Sequence, residues 1–192
     1  MRRRVFDYLM SAGGLVVVIV LVVAGALLLW GWSFANSNVH DQLAEQQIYF
    51  PPATAFAHAE PGTEITPSMI PSVSQYAGQQ LLTGEQARVY ADDFIAVHLS
   101  ELPYNGVYAT LSAKARAATP STPQAAKLAA LAQTSFQGTT LRGLLLEAYA
   151  FSVIGTIAFW AAIAAFVLAF VMAVLVGFGF WHARRTSESS EI

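Results

Sequence analysis

His98 and Glu101 stand three residues apart in a stretch with helical periodicity, so they share one helix face. A histidine and a carboxylate on one face are the raw material of a metal site. Carboxylate-bridged dimetal centres, however, use a Glu-x-x-His motif on each of two helices. Here the order is His-x-x-Glu, it occurs once, and Glu-x-x-His is absent. The residues predict a partly buried His98 that caps or pairs with Glu101, and no cofactor. His40 and Asp41 are a second polar pair, read as solvated or as a contact to a lipid headgroup or partner. Asp92 and Asp93 are consecutive, and neighbours on a helix point apart, which argues against a shared-proton dyad. His182, beside Arg184 and Arg185, reads as an interface anchor. The chain contains no Gly-x-Ser-x-Gly elbow, phosphate loop or dinucleotide fingerprint. Cysteine is absent, which removes disulfides and thiol nucleophiles.

The elements that must position these groups are set by an uneven composition. Of 192 residues, 55% are apolar and 11% charged, under half the charge of an average soluble chain at about 25%. The apolar excess lies in two blocks. One runs from Leu15 to Phe34, and the other has no charge from Ala148 through Trp181. Each provides the roughly 20 residues needed to cross a bilayer once. The first is also longer than the ~7–15 residue core of a cleaved signal peptide, so Ser33-Phe34-Ala35 is not read as a cleavage site.

Arg2, Arg3 and Arg4 precede the first block, and Arg184 and Arg185 follow the second. The positive-inside rule then predicts both termini in the cytoplasm and localisation to the plasma membrane. Between the blocks, residues 36–148 carry five Lys/Arg against nine Asp/Glu, a net −4 that argues against a nucleic-acid partner.

Trp30 and Trp32 mark one end of the first span, and Trp160 and Trp181 bracket the second. The predicted order is a cytoplasmic N-terminus at 1–10 and a transmembrane helix at 11–32. An extracytoplasmic helical domain follows at 33–159, then a transmembrane helix at 160–181 and a cytoplasmic tail at 182–192. Ala161, Ala165, Ala169, Ala173 and Gly177 recur at every fourth position, predicting a helix-packing stripe. Its partner would be the first span, a second copy or another protein.

Apolar periodicity continues beyond both predicted spans. Val39, Leu43 and Phe50 recur at helical spacing up to Pro51-Pro52, and Thr140 to Phe159 is nearly as apolar as the span that follows. A helix from Thr140 to Trp181 would be roughly 60 Å long, twice the hydrocarbon thickness, and Glu147 opposes placing its outer half in lipid. The two extensions are predicted to form a stalk, with Val39, Leu43 and Phe50 against Leu141, Leu144, Ala148 and Phe151.

Residues 51–71 read as an irregular surface loop. A short helix is expected around Val73–Gln80, followed by a capping box at Thr83-Gly84-Glu85-Gln86 that opens a helix over 84–102. Pro103-Tyr104-Asn105-Gly106 reads as a turn, with a helix over 108–118 after it. Thr122 caps and Pro123 begins a helix over 123–137, which Gly138 is expected to end before Thr139 or Thr140 caps the last helix. Nothing alternates like a strand.

The stretches VHDQLAEQQIYFPP, QYAGQQLLTGEQARVYADDFIAVHL and TLRGLLLEAYAF, within a likeness running from RRVFDYL to FWHARR, resemble uncharacterised two-pass membrane proteins of actinobacteria. The resemblance implies the architecture and no activity. Proteins of this kind sometimes carry the label ring-opening dioxygenase subunit, but a two-histidine, one-carboxylate iron site has no ligand set among these residues.

The expectation is an all-α membrane protein with two transmembrane helices extended into an extracytoplasmic helical domain. Its expected role is that of a scaffold, accessory subunit or partner-binding protein of the cell envelope. Membrane lipids surround it, and a protein partner or second copy binds through the second span. The alternative is a ligand-binding or sensory module holding a lipid or small apolar molecule. An enzyme using His98, Glu101, Asp92 or His40 ranks third.

Overall fold

The computed structural model describes residues 3–185. Arg2, one of the basic residues used for orientation, and residues 186–192 of the predicted cytoplasmic tail lie outside the described residues. The chain is helical, with seven α-helices and short 3-10 and π segments among the described residues. The one strand-like contact is an isolated antiparallel bridge between Tyr49 and Gln80. Two helices dominate: α1, Arg3–Gln46 (44 residues), and α7, Pro123–Arg185 (63 residues). Both are long and apolar enough to cross a membrane. Tertiary contacts divide the chain into two compact units, Met1–Ala35 with Ile154–Ile192 and Asn36–Val153.

In the first unit α1 and α7 run antiparallel. Tyr8 meets Phe180 at 6.1 Å between ring centroids, and Trp32 meets Phe159 at 5.0 Å. Covered positions on α1 follow alternating steps of three and four: Arg4, Asp7, Ser11, Gly14, Val18, Leu21, Gly25, Leu28, Trp32 and Ala35. On α7 the same rhythm runs Gly155, Ala158, Ala162, Ala165, Ala169, Met172, Val176, Gly179, Ala183. This 3.5-residue repeat is the seam of a left-handed helix pair. Glycines set its closeness. A Cβ on Gly14 would lie 2.6 Å from Val176 Cγ2, and one on Gly25 would lie 2.9 Å from Phe166 Cε1.

The second unit has a core of Val39 and Leu43 from α1, Phe50, Ile65, Met69, Val73 and Leu81 from the following segment, and Leu145 from α7. α1 stops at Gln46, and Gln47 turns left-handed at φ 52°. Phe50 is therefore not on the helix, contrary to the periodic reading. It lies in an extended stretch whose backbone pairs with the chain just before Thr83: Phe50 N–H donates to Gln79 O, and Leu81 N–H donates to Ile48 O. The expected surface loop at 51–71 is also corrected. It holds α2 (Ala53–Phe56), and it sends Ile65 and Met69 into the core at 2% and 0% exposure. A 3-10 turn, α3 (Ile70–Val73) and a second 3-10 turn follow.

The helix expected over 84–102 is present as α4 (Gly84–Val89), a π segment (Tyr90–Ile95) and α5 (Ala96–Glu101). Its capping box is formed: Gln86 N–H donates to Thr83 Oγ1, and Thr83 N–H donates to Gln86 Oε1. Glu85 is held below its ordinary pKa by its hydrogen bond to Arg88, but the pair is open to solvent and contributes little. In the π segment Tyr90 packs between the rings of Phe50 and Phe94. Asp92 pairs with Arg142 of α7 at 2.8 Å.

Pro103–Gly106 forms the expected turn, and α6 (Tyr108–Ala117) follows it. Ala125 N–H donates to Thr122 Oγ1, as the cap reading requires. Gly138 does not end a helix, because α7 passes straight through it. A Cβ there would come within 2.8 Å of Leu99 Cδ2, so its missing side chain serves close packing of Leu99 on α7.

Two stability tests follow from this core. Gly106 has φ 61°, and a Cβ there would meet Leu99 O at 2.3 Å. Gly106→Ala is expected to destabilise the fold by about 2 kcal/mol or more in denaturant titrations. Burial of the Tyr90 hydroxyl, helped by the Glu64 carboxylate, raises its pKa above the ordinary value. A raised pKa means stability is complete below the unfolded value of about 10 and falls as pH rises through the folded one. Tyr90→Phe should show a shallower alkaline loss of melting temperature than the parent chain.

Candidate functional site

His98 lies on α5 with Nδ1 2.9 Å from the Phe94 carbonyl. A carbonyl only accepts, so Nδ1 carries the proton and donates. The ring also meets Phe94 edge-on at 4.6 Å. Glu101 is exposed, and no hydrogen bond or ion pair joins it to His98, which corrects the expected pairing. The periodicity placed both on one helix, but the turn-length carbonyl four residues back offered His98 a nearer acceptor. His40 and Asp41 pair at 3.2 Å with both side chains more than half exposed. Among the described residues, no group of three His, Asp or Glu converges as a metal site would require. His182 Nε2 lies 3.9 Å from Asp7 Oδ2 across the helix pair, a partner that no local pattern in the sequence indicated.

The small-residue stripe divides. Ala165 and Ala169 are buried in the seam, whereas Ala161, Ala173 and Gly177 are exposed. The reason is geometric. A four-residue step advances the helix by about 40° beyond a full turn, so five residues at that spacing sweep about 160°. A seam needs alternating steps of three and four. The residue that takes the place of Ala161 is Ala162, at 0% exposure, and Val176 takes the place of Gly177. The partner of this face within the chain is α1.

The proposed stalk contacts divide similarly. Val39, Leu43 and Phe50 are core residues, and Leu141 and Ala148 pack against that core. Leu144 and Phe151 point outward, at 54% and 52% exposure, and the buried position is Leu145 at 1%. Residues 141–151 are apolar on more than one face. A periodicity one position out of phase was therefore equally consistent with the sequence.

Two surfaces of the second unit remain as candidate sites. One is an open groove of about 360 Å³, lined by the polar Asn36, His40, Asp41 and Thr83 and by the apolar Val39 and Leu82 among others. The other is an apolar patch made by Tyr104, Val107, Tyr108 and Phe136, each roughly half exposed. Tyr108 and Phe136 are in ring contact at 5.5 Å, and Lys114 Nζ lies 5.8 Å from the centre of the Tyr104 ring. The patch is held rigidly. Leu111, on α6 one turn after Tyr108, is fully buried, and Ser135 Oγ donates to the Gly106 carbonyl. Tyr104 and Asn105 both take left-handed conformations, at φ 58° and 54°. Sequence reasoning identified this turn without seeing that it displays an aromatic ring.

The seam assignment makes a paired prediction. Ala162→Leu should weaken the helix pair and Ala161→Leu should leave it intact, read as the thermal unfolding midpoint of the purified chain in detergent. Comparison with family models, with curated proteins and with solved structures returns no match, so the chain's own chemistry is what a functional reading can rest on.

Proposed function

We propose that this chain is a two-span membrane protein whose 36–153 unit lies outside the cytoplasm and binds a protein partner, as a scaffold or accessory subunit of the cell envelope. The observation that carries the partner-binding reading is the rigid patch of Tyr104, Val107, Tyr108 and Phe136. Tyrosine and phenylalanine on a preorganised frame are typical of protein interfaces. A left-handed tyrosine costs roughly 1–3 kcal/mol that glycine at the same place would not, so the fold alone gives no reason for it.

Membrane insertion is supported by which faces are apolar. The seam between α1 and α7 is built largely of small residues, while Leu15, Val16, Ile19, Leu27, Phe170 and Leu175 face outward. Only 6% of the most apolar window of α1 is buried, and 22% of that of α7. Hydrocarbon as solvent favours this arrangement, and unbroken helices meet its demand that backbone groups be paired internally. Arg185 lies over Trp181 at 4.0 Å, as interfacial anchors do. The basic residues near both ends favour cytoplasmic termini.

The second reading, a ligand-binding module, draws on the open groove at Asn36–Asp41 and Thr83. Its mixed lining, with Val39 and Leu82 beside His40 and Asp41, suits the lipid of the sequence reading better than a wholly apolar molecule.

The native absence of cysteine makes topology directly testable. In intact cells, Ser112→Cys should react with a membrane-impermeant maleimide and Ser11→Cys should not; the reverse result would invert the orientation. For the partner, purification from native membranes in mild detergent should yield a complex that Tyr108→Ser disrupts. Recovery of a lone monomer under those conditions would count against the scaffold reading.

A further inference from the structure

The charge of the second unit is segregated along the chain. Residues 36–101 carry eight acids and one base, Arg88, for a net −7. Residues 102–146 carry Lys114, Arg116, Lys127 and Arg142 and no acid, for a net +4. Arg142 is engaged by Asp92, which leaves three cations on the lobe formed by the Pro103–Gly106 turn, α6 and the first part of α7. All three are exposed. The apolar patch of Tyr104, Tyr108 and Phe136 belongs to this lobe, and Lys114 touches both features through the Tyr104 ring. The nearest acids in sequence are Glu101 and Glu147, which bracket the lobe without entering it.

We propose that this lobe docks an acidic polypeptide segment carrying aromatic or apolar side chains. The proposal rests on the partner-binding reading above and adds the partner's chemistry. Cations without local acids attract a negative chain over about a Debye length of 8–10 Å. The exposed rings then supply a desolvated anchor that charge alone does not. Tyr104 links the two parts, since its left-handed backbone turns the ring outward beside Lys114.

The test uses the full chain in detergent micelles and a fluorescent random copolymer of glutamate and tyrosine, with polyglutamate and polygalacturonate for comparison. The copolymer is expected to bind at least about tenfold more tightly than polyglutamate, with affinity falling as salt rises. Lys114→Glu with Arg116→Glu should reduce copolymer binding by about tenfold or more. Tyr104→Gly should reduce it similarly while the chain melts no lower than the parent, because glycine accepts φ near +60° without strain. Tyr49→Ser, an exposed ring outside the lobe, should change nothing. Equal binding of polyglutamate and copolymer would overturn the proposal, as would absence of binding or indifference to the lobe variants. Equal or tighter binding of polygalacturonate would also overturn it, in favour of an anionic glycan. A native complex lost in Tyr104→Gly but kept in the charge-reversed double variant would retain the partner-binding reading and remove the acidic chemistry.

Discussion

The uninterrupted hydrogen-bond ladder of α7 is the constraint on which the rest of the chain depends. One helix of 63 residues supplies one side of the seam with α1, contributes Leu145 to the core of the second unit, and carries Ser135 and Phe136 into the lobe beneath the patch. A break at Gly138 would have uncoupled the lobe from that core. The ladder continues because helix propensity costs only about 1 kcal/mol at a single glycine, which tertiary packing against Leu99 offsets.

Each unit solves a different packing problem. In the first, closeness comes from glycine, alanine and serine along a 3.5-residue seam. The second has an ordinary buried core, assembled from short pieces that no single periodicity describes. Short 3-10 turns, a π segment and an extended pairing at 48–50 with 79–81 bring Met69, Val73 and Leu81 to full burial. With no disulfide possible, side-chain packing holds it together.

The two candidate surfaces differ in what they offer chemically. The groove near His40 presents hydroxyls, an amide, an imidazole and a carboxylate in the open, beside the apolar side chains of Val39 and Leu82. The patch on the lobe presents rings on a frame that is costly to build. Strain of this kind persists where surrounding structure over-determines it, here through the buried Leu111, the Ser135 hydrogen bond and the contact of Gly106 with the Leu99 carbonyl.

Local patterns in the sequence were sufficient for the helix over 84–102, α6, the Thr83 capping box, the Thr122 cap, the Tyr104–Gly106 turn and the two long apolar stretches, because each rests on neighbours within a turn or on composition over a span. The sequence also identified Val39 and Leu43 as buried, since charged and polar residues on the other faces of that helix left one choice. It could not place the faces of α7, where apolar residues surround the helix and any phase between Leu144 and Leu145, or Ala161 and Ala162, satisfies the same pattern. Only contact with α1 and with the second unit's core selected among them. The path of residues 47–81, the Asp92–Arg142 pair and the outward ring of Tyr104 were likewise decided by tertiary structure, because each joins or displays groups whose meeting depends on chain closure over tens of residues and not on local preference.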